Sequence, residues 1–413
     1  MTERTPKPRI VEPSRRQGVM RFEMPEDVVP AEHPVRVLDR VVGTLDLAGF
    51  TAAAKAFEGE AGRSTLSPRM QLTLWLYAIS RGIGSAREIA RLTTSEDAFR
   101  WIVGDLKVSH HTLSSFRVGH EQALDQLMSD VLAGLMHKGL LSLELVAQDG
   151  TRVRASASAP SFRTYGSLQE CRRQAELHLK AVLADADNPE RTHAQQLARE
   201  AGARDFQRRV GEAIEAVTAL QAERGPAAKF ARASTTDAEA RVMKMPDGGF
   251  RPGYNVQFAV AGSEEGGPRT LVGLRVTNVG SDMGSITPML ADIERRTGQL
   301  PEVLLADGNH AKHSCVEAAE RAGVKVVMAV SGKAGPLERA SPEVAAWRQR
   351  MVTDEAKRLY RARAGLVELL NAHVKTRFGI EQVLVRGLPK IRCVVLLAGL
   401  AFNLLQNADR LLT

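Results

Sequence analysis

The sequence predicts an α/β fold: a mixed-sheet catalytic domain, preceded by an all-helical domain and interrupted by a helical insertion. Three observations predict it. Two apolar runs end in aspartate, 143–149 at Asp149 and 303–307 at Asp307, as strands do when they deliver an acid to a sheet edge. From Val35 to about Leu141 the apolar residues keep helical spacing. So do those of a charged, nearly aromatic-free stretch over 167–229, which separates the first acid-bearing run from the second.

Composition narrows the class. The chain has 413 residues, 44% hydrophobic and 25% charged, which suits two or three globular domains and excludes a fibrous or disordered chain. A net charge of +8 favours a polyanionic partner. Cys171, Cys315 and Cys393 are far apart and in no CxxC spacing, which argues against a disulfide framework and structural zinc. The first residues lack the apolar core of a signal peptide, and the most apolar window, 394–402, is too short to span a bilayer. A cytoplasmic location and no membrane partner are therefore expected. No GxxxxGK[ST] run is present, so ATP is not expected.

The elements follow in order. Residues 1–30, rich in proline and charge, are expected to be a flexible arm, and residues 31–141 a helical domain. Ser67-Pro68 before Met70, Leu72, Leu74 and Leu76 predicts a capped, buried helix with proline in its first turn. Ser85-Ala86-Arg87-Glu88-Ile89 follows a Gly82-Ile83-Gly84 turn, and His111-Thr112-Leu113 opens another short helix. Such helix starts suit a helix-turn-helix reader of DNA, or a plain bundle, with His110 and His111 at a helix start or facing DNA.

Residues 142–413 form the expected catalytic domain. Leu143 to Asp149 and then Arg152-Val153-Arg154-Ala155 read as a strand pair. The insertion over 167–229, broken at Asp187-Asn188-Pro189, reads as a helical hairpin or coiled-coil-like element, an arm or interaction surface. Runs 253–260 and 271–277 flank a glycine-rich turn and predict a β-hairpin, and Asp247-Gly248-Gly249 predicts a turn. Asp282 reads as the N-cap of a helix over 283–297. A strand over 303–306, a helix over 314–322 and a strand over 324–330 follow. The helix carrying Glu368 is expected to come last and to end near Gly379.

That order is the order of a ribonuclease-H-like fold. Its first strand is central, the Asp307 strand lies beside it, and the final helix crosses the sheet with its acid. Asp149, Asp307 and Glu368 then meet at one edge. Such close carboxylates repel, and divalent cations resolve the repulsion. Oxygen-only ligands suit Mg2+ or Mn2+, and two ions about 3.5–4 Å apart can serve a phosphodiester. On the helix, Arg361, Glu368 and Lys375 recur at seven-residue spacing and share a face, beside an apolar stripe of Leu359, Leu366, Leu370 and Val374. Glu368 would bind metal, Lys375 would meet phosphate as a point charge, and Arg363 or Arg361 would grip phosphate oxygens.

Several segments together resemble one family. They are Pro68-Arg69-Met70 through Ile89, His111-Thr112-Leu113 with Phe116-Arg117, Asp149-Gly150-Thr151, Ser234-Thr235-Thr236-Asp237, Gly253-Tyr254-Asn255-Val256-Gln257, Asp307-Gly308, Tyr360 to Lys375, and Arg386-Gly387. The chain resembles bacterial insertion-sequence transposases of the DDE type, in the Tyr-Arg-Glu-Lys signature group and its eleven-eighty-two subgroup. The resemblance implies a metal-dependent DNA transposase in which Asp149, Asp307 and Glu368 are the catalytic and metal-binding triad. Tyr360, Arg363 and Lys375 match the other signature positions, although four residues separate Arg363 from Glu368 where the signature has three.

It further implies the partners: terminal inverted repeats and target DNA, with a homodimer holding two ends. Water would free a 3′-hydroxyl at the element end, and that hydroxyl would attack target DNA. Arg152, Arg154, Arg361 and Lys375 are expected to hold DNA backbones. His310, in a His310-Ala311-Lys312-His313 run without a third metal partner, is expected at a phosphate or base. Asp237 and Arg241 form a structural ion pair or a DNA contact, with Arg241 expected to touch DNA. The alternatives are a catalytically retired transposase that binds DNA and a stand-alone nuclease on the same fold.

Overall fold

The structure, a computed structural model, describes residues 22–51, 65–186, 188–330 and 339–412. Most of the arm expected over 1–30, and Asp187 of the expected insertion break, therefore lie outside the described residues. Residues 22–30 include a 3-10 turn, Pro25–Val28, held down by Glu26, which accepts from Trp101 Nε1 at 3.2 Å and pairs with Arg36.

Helices α1 (Pro34–Gly43), α2 (Pro68–Ser80), α3 (Ala86–Leu92), α4 (Asp97–Val103), α5 (His110–Gly119) and α6 (Glu121–His137) come first. In α2, Ser67 Oγ accepts from the Met70 N–H at 3.4 Å, and Pro68 occupies the first turn, where its missing N–H costs nothing. Every residue from Met70 to Ile79 is buried, so α2 is a core helix without a solvent face.

Strand β1 (Leu145–Arg154) follows. The strand pair expected across Gly150 is one continuous strand of 10 residues. Gly150 does not reverse the chain. A Cβ there would overlap Gln257 Nε2 and Asp282 Oδ1, so the glycine admits a close cross-strand approach. Next come β2 (Phe162–Thr164), α7 (Tyr165–Ala184), α8 (His193–Arg224) and β3 (Arg232–Ser234). β2 and β3 pair antiparallel and close the base of the helical hairpin. α8 starts with a capping box between Thr192 and Gln195, and Leu168, Ala213 and Val217 pack between the two helices and β3.

β4 (Arg241–Lys244), β5 (Phe250–Ala261), β6 (Thr270–Thr277), α9 (Ile286–Thr297), β7 (Val303–Ala306), α10 (His313–Arg321) and β8 (Lys325–Met328) complete the main sheet. Its order is β6-β5-β1-β7-β8, and β4 shares the outer edge of β5 with β6. β5 runs antiparallel to β1, whereas β7 runs parallel to it. The sheet is thus mixed, with β1 central and the Asp307 strand beside it, consistent with the order expected from sequence.

Each sheet face has its own core. Val146, Leu304 and Val326 pack with Ile293 of α9, Val316 of α10 and Trp347 of α11 (Pro342–Arg350). On the other face Leu145, Ala147, Val153 and Leu305 share a core with Leu72 and Leu76 of α2 and with Leu366 and Leu370. That core runs without interruption from the N-terminal helices to the sheet.

The Glu368 helix is irregular: α12 (Asp354–Arg363), a π turn (Ala364–Glu368), α13 (Leu369–Ala372) and a second π turn (His373–Arg377). It closes at Gly379, with φ at +66°. It is not the last helix. α14 (Leu388–Leu412) follows, long and apolar enough to cross a membrane, but with 67% of its apolar window buried. It packs on α1, α2, α5, α6 and β6 and joins the helical layer to the sheet. The 394–402 window understated it because polar residues flank the apolar run. One of them is a buried anchor: Asn403 accepts from the Leu271 N–H at 2.7 Å and donates to the Leu271 carbonyl at 2.9 Å. Asn403→Leu leaves both groups of that strand residue unpaired and is expected to cost about 2–3 kcal/mol in urea unfolding. A loss below about 0.5 kcal/mol would mean that the pairing adds nothing.

Candidate active site

Asp149, within β1, and Asp307, just past the end of β7, stand at one level on neighbouring parallel strands. Gln148 pairs with Ala306 across β1 and β7, and the next residue on each chain is an acid. Strand alternation then separates the neighbours of Asp149. Gln148 reaches Ser285 Oγ ahead of α9 at 2.9 Å, whereas Asp149 Oδ2 accepts from Asn371 Nδ2 of α13 at 3.0 Å. Asp149 Oδ1 accepts from the Gly150 N–H at 2.8 Å. Burial pushes the Asp149 carboxyl above its ordinary pKa and Asp307 adds to the rise, while the Gly150 N–H, Arg363 and His310 oppose it. Asp307 caps the 3-10 turn Gly308–His310, accepting from the Asn309 N–H at 3.4 Å and from Asn309 Nδ2 at 3.2 Å.

The first π turn sets the relation of Arg363 to Glu368. Arg363 and Glu368 are five apart, one more than a regular α-helix aligns. The i→i+5 bonding of Ala364–Glu368 brings the fifth residue round instead. Arg363 then lies 3.8 Å from Asp149 Oδ2 and 3.9 Å from Glu368 Oε1, with its guanidinium 5.8 Å from the Tyr360 ring centre. The apolar stripe packs as expected: Leu366, Leu370 and Val374 are buried and Leu359 is partly buried.

The shared face expected for Arg361, Glu368 and Lys375 assumed a regular helix, and two π turns change that arithmetic. Arg361 and Glu368 are exposed, whereas Lys375 is half-buried. Burial pushes the Lys375 ammonium below its ordinary pKa, opposed by Asp149 and Glu381. Among the described residues no three His, Cys, Asp or Glu side chains close into a metal-holding group. Asp149 and Asp307 come together. The Glu368 side chain is 61% exposed, with Arg363 between it and Asp149.

Behind the two aspartates lies a buried polar network that sequence reasoning missed. Asp282 is not the N-cap of α9; that place falls to Ser285. Asp282 Oδ1 accepts from Asn255 Nδ2 at 2.8 Å and Gln257 Nε2 at 2.6 Å, and Oδ2 accepts from Arg152 Nη2 at 2.8 Å. Gln257 Oε1 accepts from Gln148 Nε2 at 3.3 Å and lies 3.1 Å from His310 Nε2. His310 Nδ1 lies 3.2 Å from the Asp307 carbonyl oxygen. At 1% exposure the His310 ring has no face for a phosphate or base; it ties the Asp307 turn to β5. Burial also pushes its pKa down. A signal existed in the sequence: Asn255 and Gln257 alternate along an otherwise apolar strand, and buried polar groups need partners.

Other charged groups singled out in the sequence have defined partners. Asp237 is buried and accepts from the Tyr254 hydroxyl at 2.8 Å; burial pushes both pKa values up. Arg241 Nη1 donates to the carbonyls of Ala238 at 2.7 Å and Ala240 at 2.9 Å. Arg154 pairs with Glu381 at 2.7 Å. The Gly387 N–H also donates to Asp237, so the motifs at 234–237, 253–257 and 386–387 meet in one structural joint, beside which Glu239 accepts from the Leu388 N–H at 2.8 Å.

Family comparisons agree with this architecture. Residues 23–119 match the model of a transposase domain (DUF772), and residues 223–404 match the model of a transposase DDE domain. The chain therefore carries two regions of transposase type, one spanning α1 to α5 and the other spanning Asp307 and Glu368. Asp149 lies outside the second match, on the far side of the α7–α8 hairpin. No curated protein and no solved structure matches the chain.

Proposed function

We propose that the chain is an insertion-sequence DDE transposase of the Tyr-Arg-Glu-Lys group on a ribonuclease-H-like fold. It cuts DNA at the terminal inverted repeats of its element and joins the 3′ ends to target DNA. The observation that carries this reading is the placement of Asp149, midway along β1, level with Asp307, just past the end of the adjacent parallel β7, under a π-turned helix that holds Arg363 against Asp149. The two transposase matches support it.

The donor set suits a hard divalent cation: carboxylate oxygens, one of them in a site where burial and a second acid disfavour the bare charge. Asp149, Asp307 and Glu368 would hold Mg2+ or Mn2+, two ions in the full site. The cations would supply Lewis acidity to the phosphodiester and to the attacking oxygen. The chain's own groups do the rest. Arg363 and Lys375 compensate phosphate charge, Tyr360 and Arg361 line the approach, and Asn371 orients Asp149. Cutting and joining at two ends calls for two copies of the chain on DNA.

The test uses DNA carrying the flanks of the gene with Mg2+ or Mn2+. Discrete end cleavage is expected from the wild type. Glu368→Gln, at an exposed position, is expected to keep DNA binding and lose cleavage. Metal-dependent nicking that survives in Glu368→Gln would remove Glu368 from the site, and end binding without cleavage by the wild type would favour a retired, DNA-binding transposase.

A further inference from the structure

We propose that the cleft between the β4–β5 turn and the second π turn is a DNA-phosphate clamp. In it Arg251 and Arg154 exchange carboxylate partners for backbone phosphates beyond the reacting one. The clamp rests on the DNA reading above and extends it to a wall that the catalytic signature does not include.

The cleft encloses about 390 Å³ and is lined by Arg152, Arg154, Arg251 and Lys375 against Asp247 and Glu381. Arg152 is paired with Asp282 behind the cleft, Arg154 with Glu381 and Arg251 with Asp247, so Lys375 leaves one excess positive charge in a concave space. Local structure builds it. The Met245 N–H donates to the Gly249 carbonyl at 2.7 Å and closes the turn, and Met245 folds back over Gly253, where a Cβ would strike the Met245 methyl. Arg251 stands on the returning strand and is held by Asp247 at 2.5 Å. Across the cleft Arg154 is held by Glu381 at 2.7 Å, and its Nε is a buried donor with no acceptor among the described residues. Lys375 adds a half-buried ammonium in the field of Asp149 and Glu381.

Position and chemistry both point to a nucleic-acid backbone. Arg152 and Arg154 are the third and fifth residues past Asp149 on β1. At about 3.4 Å per residue their backbone lies roughly 10–17 Å along β1 from Asp149 with both side chains on the opposite face, and Lys375, in the field of Asp149, joins the cleft to the acids. A backbone crossing the acids reaches it some three to five nucleotides on, at about 3.4 Å of rise each. Exposed ion pairs such as Arg251–Asp247 are weak, whereas a guanidinium fork on phosphate is a stronger, geometrically matched contact. The carboxylates keep the arginines extended without DNA and give way when phosphate arrives.

The full chain is titrated with duplex DNA from about 50 to 200 mM salt. Arg251→Ala is expected to bind about 3–10-fold more weakly and to flatten the slope of log affinity against log salt by about one, as loss of one phosphate contact requires. Asp247→Asn and Glu381→Gln remove the competing carboxylates and are expected to bind severalfold more tightly. Damage to the fold cannot produce that opposite sign, and thermal melts check each variant. Arg251→Ala with unchanged affinity and slope, or weaker binding by both carboxylate variants, overturns the clamp while leaving the transposase reading intact. A wild type that binds no DNA overturns both.

Discussion

Asp149→Asn is expected to lower metal-dependent strand cleavage by at least about a thousandfold, while raising the melting temperature of the metal-free protein at neutral pH. The two effects have one cause. Asp149 is a largely buried carboxylate whose pKa burial raises. A raised carboxyl pKa means that the folded state prefers the protonated form, so stability present at low pH is lost as pH rises through the folded value. Asparagine carries no charge and escapes that loss. Its amide also has a partner available: Asn371 Oδ1 is buried without a hydrogen bond among the described residues, and a flip of the Asn371 amide presents it to the new N–H. Melts in EDTA and in Mg2+ separate the terms. The wild type should gain stability from Mg2+ by mass action and Asp149→Asn should not. Wild-type cleavage by the variant, or a lower melting temperature without metal, would contradict this account.

Asp282→Ala is expected to be among the most destabilising single changes outside the apolar cores, at about 3–5 kcal/mol. It removes the acceptor shared by Asn255, Gln257 and Arg152 and leaves a guanidinium at 22% exposure without its carboxylate. The damage should reach catalysis, because Gln257 contacts both Gln148, beside Asp149, and His310, which bonds the Asp307 turn. Asp282→Asn keeps the shape and one acceptor oxygen and should fall between the two. Urea unfolding followed by circular dichroism, with cleavage measured where each variant is folded, is the check. A loss below about 1 kcal/mol for Asp282→Ala would show that Asp282 is not the keystone of the network. Gly150→Ala provides an independent probe of the same point, since its methyl would enter the space of Gln257 and Asp282.

Much of the fold was legible in the sequence because short-range rules decide it. The run ending at Ala306 is a strand because four apolar residues bounded by Pro301 and Gly308 can bury both faces. Ser67-Pro68 opens a helix because a hydroxyl and a missing N–H solve the problem of unpaired first-turn donors. The 167–229 stretch forms two helices because its apolar residues keep helical period and Asn188-Pro189 breaks it.

Local rules failed where a residue's role depends on a distant partner. Gly150 and the acid at 282 carry turn and cap signals, and sequence alone reads them so. Only the approach of Gln257 from another strand makes Gly150 a strand residue and Asp282 a buried acceptor. His310 looks like a ligand-facing side chain until β5 covers it. Arg363 and Glu368, five apart, would not align on a regular helix, and a π turn takes up the extra residue. The sequence by itself determined which segments become strands and helices and which carry the acids, since backbone propensity and apolar period are properties of neighbours along the chain. Tertiary structure alone decided which polar groups face one another, because a buried donor or acceptor is satisfied by whatever the fold brings within about 3 Å, at any separation along the chain.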